Sequence, residues 1–469
     1  MRPPVRLSVL GLLSSVLWAC GGPSALDSPD AGRTTAYEPG RPNFDLEAIA
    51  TVRNGEPGLD LYLSVPHASL VFTRQGPGFR ARYRYDVALL DERGRERLRS
   101  LAFVDTLRLA TYAETQAFRP RVVTERLGLA PGTYVVEATL TDEETDKAVE
   151  RRQRVEVPAP TGAPAMSRVL LSVKRPGEAF EPQVSLNAPA GFDSLRATVE
   201  VYDPPVDAVV RLQLDRLRSD TTVARPGFWL AYGRNQLEFR GVDYDGPPAD
   251  TIQVTTRPLG EVGPAVAVEV NLPPLDPGVY RLRMAAWPAP GGEPFAEEAR
   301  DYAVREPDFP RLTEITDLID ALAYLATERE IAFMRAGQTP AEQRRRFDAF
   351  WGSLFNDRRV AASVIRLYYE RVEQANLLFS THKEGWKTDR GMVYVLFGRP
   401  QYVETLPDTE TWHYDYGGRD ALSTFVFDRA SFYGAGPAPA FENWVLQRSS
   451  AYEPAWRRIV RRWREGAVL

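Results

Sequence analysis

The chain has 469 residues, with 58 basic and 63 acidic side chains, three histidines and one cysteine. One cysteine excludes an internal disulfide and a cysteine-rich zinc site. Three histidines leave little for a histidine-based metal centre, and a net charge of -5 gives no electrostatic footprint for nucleic acid.

The first six residues, Met1 to Arg6, are basic, and Leu7 to Trp18 carry no charge. This is the pattern of a secretory signal over residues 1–19, too short for a bilayer span of about 20 residues. Leu17-Trp18-Ala19-Cys20 looks like a bacterial lipobox, although Trp18 is bulkier than the usual occupant. The expectation is a lipid-anchored chain modified at Cys20; the plainer alternative is an ordinary signal with a chance cysteine. Residues 20–40 are small, polar and turn-forming, and read as a flexible tether. No later segment is apolar for long enough to cross a membrane.

Residues 41–160 alternate apolar and polar side chains, as in Leu59 to Val65 and Arg80 to Leu90, which predicts short strands. Turn signals follow at Asp91-Glu-Arg-Gly94 and Pro131-Gly132. A proline-rich linker, Val157 to Pro164, leads to a second β-rich stretch over residues 161–307, with strands at 168–173, 197–202 and 209–214. Leu275-Asp-Pro277-Gly278-Val-Tyr280 echoes Leu129-Ala-Pro131-Gly132-Thr-Tyr134. The spacing predicts two all-β sandwich modules, similar in general to immunoglobulin- or fibronectin-like sandwiches. Phe228, Trp229 and Tyr232 either stack on sugar rings or pack a core.

From residue 308 to 469 the pattern turns helical, giving an α+β unit. Ile315, Leu318, Ile319, Leu322 and Leu325 mark one helix, which Gly337 can close. Thr339-Pro340-Ala341-Glu342 opens a second with a capping box, and a third runs over 358–379. Gly385-Trp386-Lys387-Thr388-Asp389-Arg390-Gly391 then leads into Met392–Phe397, read as a central strand because it is apolar on both faces, and Gly398-Arg399-Pro400 ends it. Glu410 to Tyr416, Ser423 to Asp428 and Asn443 to Gln447 complete an antiparallel meander. Trp456 to Arg464 is a basic amphipathic helix, lying on anionic lipid or capping the domain.

Residues 340 to about 430 resemble the GWxTD domain, on Gly385-Trp386-Lys387-Thr388-Asp389 itself and on an ordered set around it. That set is Phe350-Trp351, Tyr369 to Val372, Ala375-Asn376, Arg390-Gly391, Val393 to Val395, Gly398 to Pro400, Trp412-His413-Tyr414 and Phe425 to Phe427. The chain departs from the family at Leu354 to Arg359, where the family often has an Asp-Pro-Thr-like phrase. The resemblance implies a bacterial envelope protein, often a lipoprotein, and implies no reaction.

Physically, Thr388 and Asp389 are turn and cap residues, Gly391 permits close approach, and Trp386 is an apolar plug against the third helix. Asp389 is expected to pair with Arg390 or Arg371. The motif is then a locked helix-to-strand junction. The alternative is a groove in which Trp386, Asp389, Arg390 and Tyr394, with Trp412 and His413 nearby, contact a ligand or partner.

No H-E-x-x-H, G-x-S-x-G, Walker-type or G-x-G-x-x-G motif appears, and no cofactor or metal is expected. The leading expectation is a non-enzymatic envelope protein, anchored by lipid and binding a protein partner or envelope polymer, with the β modules holding the C-terminal domain away from the membrane. It sits on the outer membrane of a diderm bacterium, facing periplasm or surface. Two alternatives stand beside it. One is a glycan or peptide hydrolase using carboxylates or His413, favoured by a cleft lined by Asp389, His413 and Asp415. The other is an outer-membrane assembly factor.

Overall fold

The computed structural model describes residues 33–34, 40–117, 119–159, 162–189, 191–229, 241–242, 248–260, 263–288, 292–414, 424–430 and 441–468. Cys20, Tyr232 and Asp415 lie outside them. The chain is mostly β, in several antiparallel sheets followed by a helical C-terminal region.

Near the N-terminus, β2 (Asp45–Arg53), β3 (Glu56–Pro66) and β7 (Pro120–Gly128) form one sheet. It shares a core with a sheet of β4 (Thr73–Gln75), β5 (Gly78–Leu90), β8 (Gly132–Asp142) and β9 (Lys147–Val157), with β6 (Arg97–Leu109) on β5. A short helix, α1 (Tyr112–Thr115), follows β6 and is opened by a capping box of Thr111 and Glu114. The period of two places Leu59, Leu61, Leu63 and Val65 of β3 against Tyr83 and Tyr85 of β5 and Val136, Ala138 and Leu140 of β8. The other face of β3 is also covered. There Tyr62 packs with Ile49 and with Val184 of the following region.

The middle of the chain repeats this arrangement. One sheet runs β10 (Ala165–Met166), β14 (Ser194–Tyr202), β11 (Leu170–Lys174), β12 (Phe180–Pro182), with β17 (Ala265–Leu272) on β14. The other runs β13 (Asn187–Pro189), β19 (Ala296–Arg305), β18 (Gly278–Trp287), β15 (Val209–Arg216), β16 (Asp250–Pro258). Both Pro-Gly-x-Tyr phrases open a strand, β8 and β18, and do so the same way. Tyr134 Oη donates to Ala130 O at 2.9 Å and Tyr280 Oη to Asp276 O at 2.8 Å, so each tyrosine locks the turn that precedes it.

Strand β19 joins the regions. Arg300 is 2% exposed; its Nη1 donates to the Glu47 carboxylate on β2 and to Val169 O, and its Nη2 to Gln183 O and Val184 O. Five residues on, Arg305 donates to Asn187 Oδ1 at 2.8 Å and to the carbonyls of Thr381 and Lys383 just before the GWxTD motif. Burial pushes the Arg305 guanidinium down to about 10.

In the C-terminal region, α2 (Ile315–Asp320), α3 (Glu328–Arg335), α4 (Pro340–Leu354), α5 (Arg358–Phe379), α6 (Asp389–Phe397) and α7 (Glu453–Glu465) share one core with a sheet. That sheet runs β1 (Arg33–Thr34), β20 (Tyr402–Thr405), β21 (Thr409–His413), β22 (Thr424–Ala430), β23 (Asn443–Leu446). Four expectations are corrected here. Met392–Phe397 is the helix α6, opened by Thr388 and buried at every position from Gly391 to Phe397. A short apolar run covered on all sides has no period to separate helix from strand. The helix at Ile315 does not reach Gly337. It ends in a 3-10 turn at 321–324, because a capping box of Thr327 and Glu330 opens α3 anew. At Thr339 only half the expected box forms: Glu342 bonds the Gln338 N–H instead of returning to Thr339. Finally, within the stretch read as a tether, Arg33 and Thr34 pair antiparallel with Glu404 and Val403 on the edge of the sheet.

The terminal helix α7 buries Trp456, Ile459 and Trp463, whose Nε1 donates to Leu396 O at 2.9 Å. It caps the core. Among the described residues no helix is long and apolar enough to cross a membrane.

Candidate functional site

The GWxTD segment begins where α5 ends. Ser380 Oγ accepts the Gly385 N–H at 2.8 Å, and Gly385 crosses α5 so closely that a Cβ there would lie 1.8 Å from Ala375 O. Residues Gly385–Lys387 make a 3-10 turn. Trp386, 1% exposed, donates its backbone N–H to Asn376 Oδ1 at 3.2 Å and packs edge-on to Tyr324, whose Oη donates to Trp386 O. Thr388 is the N-cap of α6: its Oγ1 accepts the Gly391 N–H at 3.0 Å and donates to Gly385 O at 2.7 Å. Gly391 in turn lies against the turn, and a Cβ on it would fall 1.8 Å from Gly385 O. Glycine is required at both positions for this stacking of α5, turn and α6.

Asp389 does not pair with Arg390 or Arg371. Its carboxylate takes two bonds from Arg448, at 2.8 and 3.0 Å, and one from the Leu446 N–H at 2.8 Å, tying α6 to β23. Arg390 pairs with Glu410 on β21 at 3.1 Å and lies between the rings of Phe379 and Trp444. Arg371 donates to the C-terminal carbonyls of α6, Val395 O and Leu396 O. The junction is therefore helix to helix, and its polar side chains are engaged internally.

Trp412 is fully buried against Phe379 and Phe427, with Nε1 on Glu410 Oε1 at 2.5 Å. His413 stacks on Tyr402 at 4.3 Å, with Nε2 3.5 Å from Glu404. Asp389 bonds at Leu446, which lies across from Phe427 and then Glu410, three residues along β21 from His413. Asp389 and His413 are thus not brought to one point. His382, 1% exposed, is pushed down to about 3 by burial, so its ring is neutral at ordinary pH. Among the described residues no group of three or more His, Cys, Asp or Glu side chains could hold a metal ion.

Arg390 and Tyr394 also line a cleft of about 760 Å³. Its walls come from all parts of the chain. Gln374, which accepts the Tyr394 hydroxyl at 2.9 Å, belongs to α5; Asp45 and Arg151 belong to the N-terminal sheets, and Asn187 to the middle ones. Burial raises the Asp45 carboxyl, with the Arg151 guanidinium opposing. Arg151 Nη2 is held by Asn43 Oδ1 at 2.6 Å. Guanidinium, carboxyl, amide and phenol side by side suit a polar ligand that both donates and accepts hydrogen bonds. Of the residues singled out in the sequence, Asn376, Arg390 and Tyr394 line this cleft. Asn376 was visible as part of the phrase ahead of the motif. Arg448, Glu410, Asp45 and Arg151 gave no local signal.

Residues 293–465 match the family model of the GWxTD domain. The chain is a GWxTD domain-containing protein. No curated protein matches it. Among solved structures, red sea bream transglutaminase is 13% identical over 56% of this chain and 31% of its own, with a TM-score of 0.17. A tetra-tandem repeat from the extending region of a large adhesion protein is 12% identical over 56% and 67%, with a TM-score of 0.15. The chain thus spans about a third of the transglutaminase. The GWxTD match begins ahead of β19, so it takes in the strand that carries Arg300 and Arg305.

Proposed function

We propose that this protein is a lipid-anchored binding or scaffolding component of a bacterial cell envelope, without an enzymatic role. In this reading two immunoglobulin- or fibronectin-like sandwich modules precede an α+β GWxTD domain, and the three together hold a protein partner or an envelope polymer. The observation that carries it is the cleft of about 760 Å³, walled by side chains from every part of the chain. Sites between domains are a usual place for ligands. The engagement of Thr388, Asp389 and Arg390 in internal bonds supports a structural role for the motif itself. The anchor rests on Leu17-Trp18-Ala19-Cys20. The pairing of β1 with β20 favours a tether leaving from the GWxTD sheet, which would keep that domain near the membrane rather than away from it.

The test is crosslinking and affinity capture of the full chain from its native envelope, beside Arg151→Glu and Cys20→Ser. The expected result is one partner or polymer captured by the natural chain and lost with Arg151→Glu. Cys20→Ser should leave the membrane fraction. Capture that is indifferent to the cleft, or cleavage of envelope glycan by purified protein that His413→Ala abolishes, would overturn the reading.

A further inference from the structure

The connection between β15 and β16 leaves the middle sheets and returns to them. Its base is closed by the Ser219–Val242 bridge and by the Asp220 N–H on Gly241 O at 2.9 Å. Beyond that base, residues 222–229 lie on the GWxTD domain as an arm without helix or strand that ends in a turn, where the Trp229 N–H donates to Pro226 O at 3.0 Å, and the arm is held to the domain largely by its main chain. Lys383 Nζ donates to Thr222 O at 2.9 Å, and the Ala224 N–H donates to Lys387 O at 2.9 Å. Arg448 Nη2 donates to Arg225 O at 3.2 Å, and the Ser449 N–H donates to Gly227 O at 3.0 Å. Lys387 is the variable residue of the motif, and Arg448 is the partner of Asp389.

Side chains set only a few requirements. Ala224 is buried in the GWxTD core, where Val223 and Phe228 pack against it. Phe228 meets Trp456 edge-on at 6.1 Å. Gly227 crosses so near the domain that a Cβ would lie 2.8 Å from Leu446 Cδ2. The surface thus reads backbone polar groups plus an apolar–small–x–Pro–Gly–aromatic pattern. Main-chain bonding with a few side-chain slots is how extended peptides are recognised.

The receptor side has internal support that does not depend on the arm. Asp389 fixes Arg448 in a bidentate pair, Glu384 pairs with Lys387 at 2.5 Å, and Ser449 Oγ caps the turn at 450–452. A site that keeps its shape when emptied binds its ligand at lower entropic cost. We propose that this face of the GWxTD motif is a peptide-binding groove, filled in this chain by its own arm, and that it accepts in exchange a segment of a partner protein with the same pattern, turning at its Pro-Gly. This goes beyond the cleft reading and does not depend on it.

Two measurements on the full chain test it. In hydrogen exchange, the Ala224 amide should exchange at least 100-fold faster than the Met392 amide of α6 and the Gly398 amide that closes it, because the arm opens locally. A fluorescent peptide of residues 220–229 should bind an Ala224→Glu, Phe228→Ala chain, whose arm is weakened, at least tenfold more tightly than the natural chain. The same peptide carrying Gly227→Val should not bind. Arm amides as protected as those of α6, loss of α6 protection in the arm variant, or no peptide binding to it would each overturn the proposal and make the arm a permanent part of the core.

Discussion

Gly391→Ala tests the claim that the motif is a stacked joint. The new Cβ would lie 1.8 Å from Gly385 O, a backbone atom that cannot rotate away. A comfortable C···O contact is about 3.3 Å, so the first turn of α6 must retreat by roughly 1.5 Å. That movement stretches the Thr388 cap on the Gly391 N–H, worth about 1 kcal/mol, and adds about 1–3 kcal/mol of overpacking. It also pulls Asp389 from Arg448, where breaking a buried pair costs about 3–5 kcal/mol in full. A partial loss of that pair brings the sum to about 4–5 kcal/mol, at the upper end for single substitutions. Urea unfolding followed by tryptophan fluorescence is a suitable assay, since six of the nine tryptophans lie in this core. Gly352→Ala is the control. Nothing lies within 4 Å of a Cβ there, and the residue is in α4, so stability should rise by about 0.5–1 kcal/mol. A loss under about 1 kcal/mol for Gly391→Ala would refute the stacking argument.

Asp389→Asn should destabilise by about 3 kcal/mol by leaving Arg448 without its charge partner, and Asp389→Leu with Arg448→Leu should cost less than the two single changes added; a double-mutant cycle by chemical denaturation measures this. Arg464 donates two bonds to Glu330 and holds its carboxyl at about 2, so folding gains stability from this pair above the ordinary carboxylate value of 4.5 and loses it as pH falls from there toward 2. With both side chains partly exposed, Glu330→Gln should cost about 2 kcal/mol at pH 7 and nearly nothing at pH 2, read from thermal unfolding across that range. Arg300→Met should cost about 3–5 kcal/mol by stranding Glu47, and calorimetry should show the N-terminal sheets melting earlier while the GWxTD transition holds its temperature.

Strands with one face in a core were legible, because alternation reports that face directly: Leu59 to Val65 and Arg80 to Leu90 both fall within strands of the structure. The 22 residues of α5 were legible for the same reason at a period of 3.6. Met392–Phe397 was not, since Gly398 followed by Pro400 stops a helix as readily as a strand. Here Gly398 takes a φ of 80° at the helix end, a value that favours glycine. Thr388 was recognised as a cap, but what it caps depends on residues after it that carry no periodicity. The partner of Asp389 was the harder case. Sequence proximity pointed to Arg390 and Arg371, whereas Arg448 is brought in only by the return of β23. The cleft has walls from distant segments, so no local window could contain it.

The arm at 222–229 also fixes an order of events. Arg225 and the Arg448 that donates to its carbonyl are 223 residues apart, and at about 5–20 residues per second a ribosome needs roughly 10–45 s to make that stretch. During synthesis Phe228 exists long before the Trp456 it packs against has been made. The middle sheets can close on local pairings in that interval, while the arm waits with its apolar side chains in water. The GWxTD domain therefore becomes whole after the middle sheets, and it completes its neighbour in the same step.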